Sequence, residues 1–370
     1  MSTKRNVRSP YYIRKLRSGS VPDTETLNLK IWTGAKTPVP STATYSLTKD
    51  VLDAGGGFVY ATFEVSELIR DYIETSFTGD YTSYGVWVND GTTYIALDGY
   101  GYFEEGVNPE LSRTKLISNS TIWRPTNENI RVPVFGDEQL DVVFAYQGTA
   151  VNTFNYTATT NTSGLIRYPD AYGDATVNNY EQRVLDDSGT FEFNPLLLNF
   201  QRDSDVYAVD EVHIFKYVGG VPVLSDVIKV KTMHCDKFPD RKVTFVNKFG
   251  ALQDVYFFAK EVESIQTKSE TYKANVMDLS ALTYEGHQQR SINVQGNESV
   301  TLSTGYVSED YNEVLKQMMM SEQVWLTKND EVLPVIPQTK SLTYKTSLND
   351  KLVDYTVTFD YAFDKIQNIR

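Results

Sequence analysis

The sequence contains one cysteine, three histidines and no long apolar run in its 370 residues. The single cysteine, Cys235, excludes an internal disulfide framework. One Cys and three His supply at most four ligands, so a zinc site built from them alone would have to use all four. Because no apolar run reaches about 18 residues, we expect no membrane-spanning helix. Residues Met1 to Asn6 lack the apolar core of a signal peptide, so we expect no classical secretion.

Catalytic patterns are also scarce. Cys235 stands between His234 and Asp236, but neighbours on a strand point to opposite faces, so His234 is badly placed to act as its base. No Gly-x-Ser-x-Gly motif occurs. Gly55-Gly56-Gly57 precedes a β-like run rather than a helix, which indicates a hairpin loop and not a phosphate cradle. We therefore predict that the protein is not an enzyme and carries no cofactor or metal.

Acidic pairs leave two alternatives open. Asp203, Asp205 and Asp210 lie within one short stretch, where a calcium ion could bind, although their spacing does not match an EF-hand. A glycosidase needs two carboxylates across a sugar cleft, which could come from Asp203 and Asp205, Asp210-Glu211, Glu104-Glu105 or Asp186-Asp187. Acids in turns also have a plain solvation role, so we rank both alternatives below a non-catalytic protein.

The net charge of −13 is unevenly distributed along the chain. Six of the 35 Lys and Arg residues precede the first acid, Asp23, which leaves 29 bases against 48 acids and a formal charge of −19 for the remainder. An acidic body repels nucleic acid and anionic membranes, so we expect neither as a partner. We predict that the basic segment binds an acidic protein neighbour through nine residues. These are Lys4, Arg5, Arg8, Tyr11, Tyr12, Ile13, Arg14, Lys15 and Arg17.

Strand signals dominate the sequence. Leu27 to Trp32 and Phe58 to Val65 are rich in β-formers, and Asp90-Gly91 is a strong hairpin signal between two further runs. Short strands separated by turn residues are typical of β-sandwiches and barrels. The fold class that we predict is therefore mainly β.

An internal repeat suggests the domain organisation. Leu27 to Gly34 parallels Leu140 to Gly148, and the 24-residue spacing from Phe63 to Trp87 recurs from Phe191 to Phe215. We predict two tandem β-sandwich domains followed by a third β-rich domain with one amphipathic helix. The predicted segments are a basic extended arm (1–22), β-sandwich 1 (23–135), β-sandwich 2 (136–235) and a C-terminal β-rich domain (236–370) with its helix near 308–321.

The helix prediction rests on an apolar stripe at helical spacing. Ser308 is the expected N-cap, and the acids after it favour the positive end of a helix. The stripe consists of Tyr311, Val314, Leu315, Met318 and Met319.

Tyrosine is unusually frequent, with 25 residues against 18 Phe and 4 Trp. Tyrosine combines a large contact area with a polar tip, which suits both subunit interfaces and carbohydrate contacts. The densest cluster comprises Tyr94, Tyr100, Tyr102 and Phe103. We expect these residues either to line an interface or to form the edge of a β-core.

Six strings of the sequence together resemble virion structural proteins of tailed bacteriophages, particularly of marine contractile-tailed phages. The strings are Arg8-Ser-Pro-Tyr-Tyr-Ile13, Leu29-Lys-Ile-Trp-Thr-Gly34, Phe63-Glu-Val-Ser-Glu-Leu-Ile-Arg-Asp-Tyr72, Gly99-Tyr-Gly-Tyr-Phe-Glu-Glu-Gly106, Phe245-Val-Asn-Lys-Phe-Gly-Ala-Leu-Gln-Asp254 and Leu352-Val-Asp-Tyr-Thr-Val-Thr-Phe-Asp-Tyr-Ala-Phe-Asp364. The resemblance extends from about Arg8 to the C-terminus and implies no catalytic residue.

The resemblance implies a multi-copy adaptor or connector of the tail, baseplate or neck. Its partners would be other virion proteins, and it would assemble in the reducing cytoplasm of the bacterial host before residing in the virion. An alternative from a different class is a receptor- or carbohydrate-binding module of a fibre or spike. In that case the Thr-, Asn- and Tyr-rich stretch from Asn152 to Asp174 would carry the binding site.

Overall fold

A computed structural model shows a mainly β chain, with two α-helices among the residues that it describes, which confirms the predicted fold class. It divides into two compact units, one of residues 1–234, 244–256 and 310–322 and the other of residues 235–243, 257–309 and 323–370. The residues that it describes are 3–18, 23–32, 38–73, 77, 83–106, 115–125, 132–135, 140–146, 149–156, 165–167, 169–173, 180–181, 191–193, 201–202, 205–206, 210–233, 237–273, 289–339 and 352–366.

The elements are numbered in chain order. The strands are β1 (Thr3–Asn6), β2 (Tyr12–Ser18), β3 (Thr24–Trp32), β4 (Tyr45–Asp50), β5 (Leu52–Gly55), β6 (Phe58–Glu64), β7 (Ser83–Asn89), β8 (Thr93–Leu97), β9 (Thr121–Pro125), β10 (Val134–Phe135), β11 (Leu140–Tyr146), β12 (Thr149–Tyr156), β13 (Leu165–Arg167), β14 (Pro169–Gly173), β15 (Tyr180–Glu181), β16 (Phe191–Phe193), β17 (Gln201–Arg202), β18 (Asp205–Val206), β19 (Glu211–Val218), β20 (Val221–Met233), β21 (Arg241–Val246), β22 (Leu252–Phe257), β23 (Glu261–Lys273), β24 (Gln289–Ser303), β25 (Val307–Ser308), β26 (Val324–Lys328), β27 (Glu331–Pro337), β28 (Leu352–Val353), β29 (Thr356–Tyr361) and β30 (Lys365–Ile366). The helices are α1 (Ser66–Arg70) and α2 (Tyr311–Met319), and a 3₁₀ turn spans Phe103–Glu105.

Two sheets near the N-terminus pack face to face. One follows the order β1-β8-β7-β13-β10, with β3 also joined to β7 and β4 joined to β3; the other has the order β2-β6-β5. Their inner faces form one core, because side chains alternate between the two faces of each strand. Buried residues of this core include Ile13, Leu27, Leu29, Phe63, Val65, Val86, Val88 and Tyr94.

The hairpin predicted at Asp90-Gly91 is confirmed. Strands β7 and β8 pair antiparallel from Gly85 opposite Leu97 to Asn89 opposite Thr93. Gly91 has a φ of 115°, a conformation that glycine adopts without steric cost.

A third sheet of the first unit has the order β12-β11-β19-β20-β9. β11, β19 and β20 pair antiparallel, whereas β20 and β9 run parallel with Lys229 opposite Thr121. Val212, Ile214 and Ile228 point to its buried side. Smaller sheets join β15-β14-β16 and β17-β18.

The predicted helix near 308–321 is confirmed as α2. Tyr311, Val314, Leu315 and Met318 are buried, so the apolar stripe is the packed face. The expected N-cap was wrong: Ser308 lies in the short strand β25, and Asp310 occupies the cap position without a capping hydrogen bond from its side chain.

In the second unit, five strands follow the order β26-β27-β29-β24-β23, with β30 beside β24. All of the pairings are antiparallel. The rings of Phe257 and Phe359 meet edge to face in its core, with centroids 5.9 Å apart. β23 is the outer strand of this sheet.

Candidate functional site

The structure corrects the expectation that the basic N-terminal segment is an arm held out for a neighbour. β1 pairs parallel with β8, and β2 pairs antiparallel with β6 along its whole length. Tyr11 and Ile13 are 6% and 7% exposed within the core of the first unit. The physical reason is the two-residue alternation of the segment, which places Ile13 inside and its neighbour Tyr12 outside. Burial of an Ile side chain stabilises the fold by about 2 kcal/mol, which favours this position.

Two cations of the segment, Arg5 and Arg8, lie against aromatic rings of the same chain. Lys4 and Arg5 stand in β1 opposite Ile95 and Ala96. The Arg5 guanidinium lies 5.7 Å from the Tyr11 ring centroid, and that of Arg8 lies 5.0 Å from the Tyr100 centroid. These are cation–π distances, so aromatic rings cover the charges that were predicted to face a partner.

The cations of β2 also have partners within the same chain, but they are more exposed to solvent. Arg14 lies 4.0 Å from the centroid of the Tyr60 ring on the outer face. Lys15 donates from Nζ to the Asp90 carbonyl at 2.5 Å, and Arg17 pairs with Glu25 at 2.7 Å. Tyr12, Arg14, Leu16 and Arg17 keep exposed side chains that a partner could reach.

A cluster of buried polar groups forms where two of the motif strings meet in the first unit. A Cβ added to Gly99 would lie 2.6 Å from the Lys248 carbonyl oxygen, and one added to Gly250 would lie 2.9 Å from backbone atoms of Asp98. Contacts under 3.0 Å exclude a side chain at both positions. Gly250 also has a φ of 76°, which glycine alone adopts readily. Close approach of the two backbones therefore explains why both turns carry glycine.

Amide side chains fix the turn around Gly250. Asn247 accepts from the backbone N–H groups of Phe249 and Ala251 at 2.9 and 3.1 Å, and its Nδ2 donates to the Leu116 carbonyl at 2.6 Å. Gln253 accepts from Asn247 and donates to Asn119. Because the hydrogen bonds among these buried amides compensate for the water that they lose, this network is a structural support rather than a vacant ligand site.

Tyr102 is held between charges beside this network. Its hydroxyl donates to Glu313 Oε1 at 2.6 Å, and the Nζ atoms of Lys248 and Lys316 lie 4.1 and 3.8 Å from its ring centroid. Burial, assisted by the hydrogen bond to Glu313, raises the pKa of Tyr102 well above its ordinary value. The hydroxyl therefore stays protonated at neutral pH and acts as a donor.

Phe103 follows at the tip of this rigid turn and is 97% exposed. Glu105 closes the turn by accepting from the Tyr102 backbone N–H at 2.9 Å and by pairing with Lys248. In the predicted aromatic cluster, Tyr94 and Tyr100 are buried, so only its last member is presented to solvent.

Asp98 is the most perturbed acid of the cluster. Burial raises its pKa to about 6, although the nearby Arg8 and Arg70 guanidinium groups act in the opposite direction. Arg70 Nε is 3.8 Å from Asp98 Oδ1, which is an ion pair but too long for a hydrogen bond. Arg8 and Arg70 also pair with Glu322, whose carboxylate competes for both cations. The attraction to Arg8 and Arg70 therefore compensates only in part for the hydration that the Asp98 carboxylate loses on burial.

Two β-ribbons present apolar side chains to solvent. At the end of β19 and β20, Val218 pairs with Val221 and Phe215 with Leu224. Val221 is 60% exposed, and Val218, Val223 and Leu224 are also exposed. Both faces of this ribbon, defined here as residues 215–224, therefore carry accessible apolar groups.

The second ribbon is formed by β23 and β24 of the second unit. Its exposed apolar side chains are Val262, Ile265, Tyr272 and Ile292. Neither ribbon was identified from the sequence. A strand with mixed polar and apolar residues gives no sign of whether the rest of the fold will cover it.

The other candidates from the sequence have little structural support. His213 Nε2 lies 2.8 Å from Glu211 Oε2 in β19, as an isolated pair. Among the described residues, no group of three or more His, Cys, Asp or Glu side chains could hold a metal ion. Cys235, both of its neighbours, Asp203 and Asp186-Asp187 lie outside the described residues, as do the side chains of 152–174.

In the described part of the chain, no helix is long and apolar enough to cross a membrane. Comparison with known proteins gives no assignment: no family model matches the chain, and no curated protein is similar to it in sequence. The function is therefore inferred from the exposed ribbons and the buried polar cluster of the structure.

Proposed function

We propose that the protein is a non-enzymatic structural subunit of a tailed-bacteriophage virion, an adaptor or connector of the tail, baseplate or neck. The single observation that carries the proposal is the ribbon of residues 215–224. Beyond Lys216, where β19 still pairs with β11, this ribbon is two-stranded within the described residues, and two strands alone are marginally stable in water. Three exposed valines on one face, Val218, Val221 and Val223, and the exposed Leu224 on the other are typical of a surface that another protein covers. An assembly subunit needs such projecting contacts, whereas a free monomer does not.

The resemblance to virion proteins supplies the biological setting of the proposal. Two of its strings, Gly99 to Gly106 and Phe245 to Asp254, build the buried polar cluster around Asp98, and a third begins at Arg8 beside it. The resemblance thus involves residues that organise the fold of the first unit. The mutual pairing of Tyr102, Lys248 and Glu313 favours a structural role for this cluster over a catalytic one.

The outer face of β2 is a second candidate contact for neighbouring virion proteins. Leu16 and Tyr12 are exposed there, and Arg14 lies between them on the same face. This face contains part of the segment that was predicted to bind a partner. It would fit a partner surface with an acidic group beside an apolar one. Tyr11 and Ile13 are excluded from such a contact by burial, and Arg5 and Arg8 are restricted in it by the rings of Tyr11 and Tyr100.

Detection of the chain in purified particles tests the proposal. Virions of the phage that encodes the chain should contain it at a fixed ratio to the other structural proteins, as measured by quantitative mass spectrometry. Absence of the chain from banded, infectious particles would refute the assignment.

A pair of variants tests the role of the ribbon. Val221→Asp places a charge in the proposed contact, and we expect it to reduce incorporation into particles at least tenfold while the isolated subunit remains folded. Leu52→Asp is the matched control, because Leu52 is 58% exposed on a different sheet. Equal incorporation of Val221→Asp and wild type would exclude the ribbon from assembly.

A further inference from the structure

The outer edge of β23 has no neighbouring strand in the described part of the chain, since the sheet of the second unit ends there. β23 has 13 residues and contains neither glycine nor proline. Such an edge presents a continuous row of backbone N–H and C=O groups, which is a template for another strand. Short length, proline and bulges commonly protect natural edges, and β23 has none of these.

The ribbon formed by β23 and β24 also lacks support from its own sheet. β29 pairs with β24 only over Ser299–Ser303, and β30 pairs with it only at Gln295 and Gly296. Beyond these positions the ribbon is two-stranded within the described residues, and every residue of β23 from Val262 onward is exposed. Two strands alone are marginally stable, so a third strand would stabilise this ribbon.

The irregularity of the ribbon lies on the inner strand. Lys268 faces Gln295 and Glu270 faces Ile292, so two residues of β24 oppose the single Ser269 of β23. Asn293, one of those two, has a φ of 54°. The bulge therefore belongs to β24. β23 keeps its two-residue repeat, and its outer edge remains regular for pairing.

We propose that β23 pairs antiparallel with β23 of a second copy of this chain, on a two-fold axis at Thr267. This inference rests on the proposed assembly function and names one of its contacts. In this register Glu261 faces Lys273 of the second copy, and Val262 faces its Tyr272. Each pair occurs twice, because a two-fold interface is isologous. Two apolar pairs and two pairs of opposite charge are cross-strand combinations that stabilise sheets.

Neighbouring registers are less favourable. A centre at Lys268 places two lysines opposite one another, and a centre at Glu270 does the same for two glutamates. Parallel pairing in register would oppose Glu263 to Glu263 and Lys268 to Lys268. Like charges directly opposite destabilise a sheet. Centres at Gln266 and Ser269 also avoid like charges but pair only 11 and 9 residues, whereas the centre at Thr267 avoids every such pair and uses all 13 residues.

The proposed pairing also places each ribbon where it needs support. The part of β23 that belongs to the main sheet, Glu261 to Ile265, lies opposite Ser269 to Lys273 of the second copy. Each projecting tip thus gains a neighbouring strand segment that is anchored in the sheet of the other copy. In that anchored segment Glu261 pairs with Arg241 at 2.7 Å and with Lys328 at 3.5 Å. The two sheets become one continuous sheet.

Cysteine cross-linking tests both the pairing and its register. In a Cys235→Ser background, Thr267→Cys places two thiols in directly opposed positions, where Cα atoms are about 4.5–5.5 Å apart. That spacing permits a disulfide. Thr271→Cys is the matched control on the same face, because the two thiols would stand eight positions apart, about 27 Å. We expect rapid formation of a covalent dimer from the first variant and none from the second.

A charge exchange provides an independent measurement. Thr267→Lys and Thr267→Glu should each weaken self-association in sedimentation experiments by up to about fivefold, and an equimolar mixture of the two should restore it. A monomeric wild type at the highest soluble concentration, or equal cross-linking at positions 267 and 271, would overturn the pairing. Detection of the chain in particles together with either result would leave the virion assignment intact. A dimer with no chain in particles would refute that assignment instead.

Discussion

Replacement of Asp98 by Asn should stabilise the protein at neutral pH. Asp98 is buried, and its Oδ1 atom accepts no hydrogen bond in the described part of the chain. Its pKa is about 6 in the folded protein, against an ordinary value of 3.8. One pKa unit corresponds to about 1.4 kcal/mol, so the ionised carboxylate costs the fold about 3 kcal/mol above pH 6. Asn resembles the protonated acid in shape and carries no charge.

The direction of the pH dependence follows from the raised pKa. Between pH 4 and 6 the folded protein binds more protons at Asp98 than the unfolded chain does. The contribution of this residue to the free energy of unfolding therefore falls as the pH rises through that interval. The advantage of Asp98→Asn should be absent near pH 4 and fully developed above pH 7.

Urea unfolding of wild type and variant at pH 4 and at pH 7.5 measures the effect. We expect equal stability at the lower pH and a gain of about 1–3 kcal/mol for the variant at the higher pH. Glu104→Gln is the control, since Glu104 is exposed in the same segment and its change should stay within about 0.5 kcal/mol. A loss of stability in Asp98→Asn at pH 7.5 would mean that attraction to Arg8 and Arg70 outweighs desolvation.

Two further substitutions, Gly250→Ala and Tyr102→Phe, test the packing of the cluster, and Gly57→Ala is the control for the first. Gly250→Ala should lower the free energy of unfolding by about 2–4 kcal/mol, because its Cβ would meet the Asp98 backbone at 2.9 Å and its φ is positive. Gly57→Ala, at a φ of 80° with no atom within 4 Å, should cost only about 1–2 kcal/mol in the same urea assay. Tyr102→Phe should cost about 1–2 kcal/mol in thermal unfolding through loss of its hydrogen bond to Glu313, and an unchanged midpoint would show that this bond contributes nothing.

Local signals in the sequence were sufficient to predict an element whose conformation depends mainly on its own residues. The Asp90-Gly91 turn and the apolar stripe of α2 each depend on a few neighbouring residues, and both are present. The position of the helix start was not predictable in the same way. Ser308 is a good cap by composition, but its pairing with Leu352 in a short sheet places it outside the helix.

The N-terminal segment shows why its charge alone led to the wrong prediction of an extended arm. Six cations before the first acid suggested a solvated arm, yet Tyr11 and Ile13 alternate with outward residues as a strand does. The aromatic rings that cover Arg5 and Arg8 come from residues up to 92 positions away, such as Tyr100. Tertiary partners of this kind cannot be read from a single stretch of sequence.

In the proposed assembly, the exposed ribbons and the net charge would act in opposite directions. A formal charge of −13 makes copies of the chain repel one another at long range. That repulsion opposes indiscriminate contact between the exposed valines of residues 215–224 and any other apolar surface. Strand pairing at β23 is short-ranged and directional, so it can compensate for the repulsion only when the backbone groups and cross-strand charges are in register. Acidic charge and accessible strand edges together would therefore select ordered contacts over aggregation, as an assembly subunit requires before it meets its neighbours.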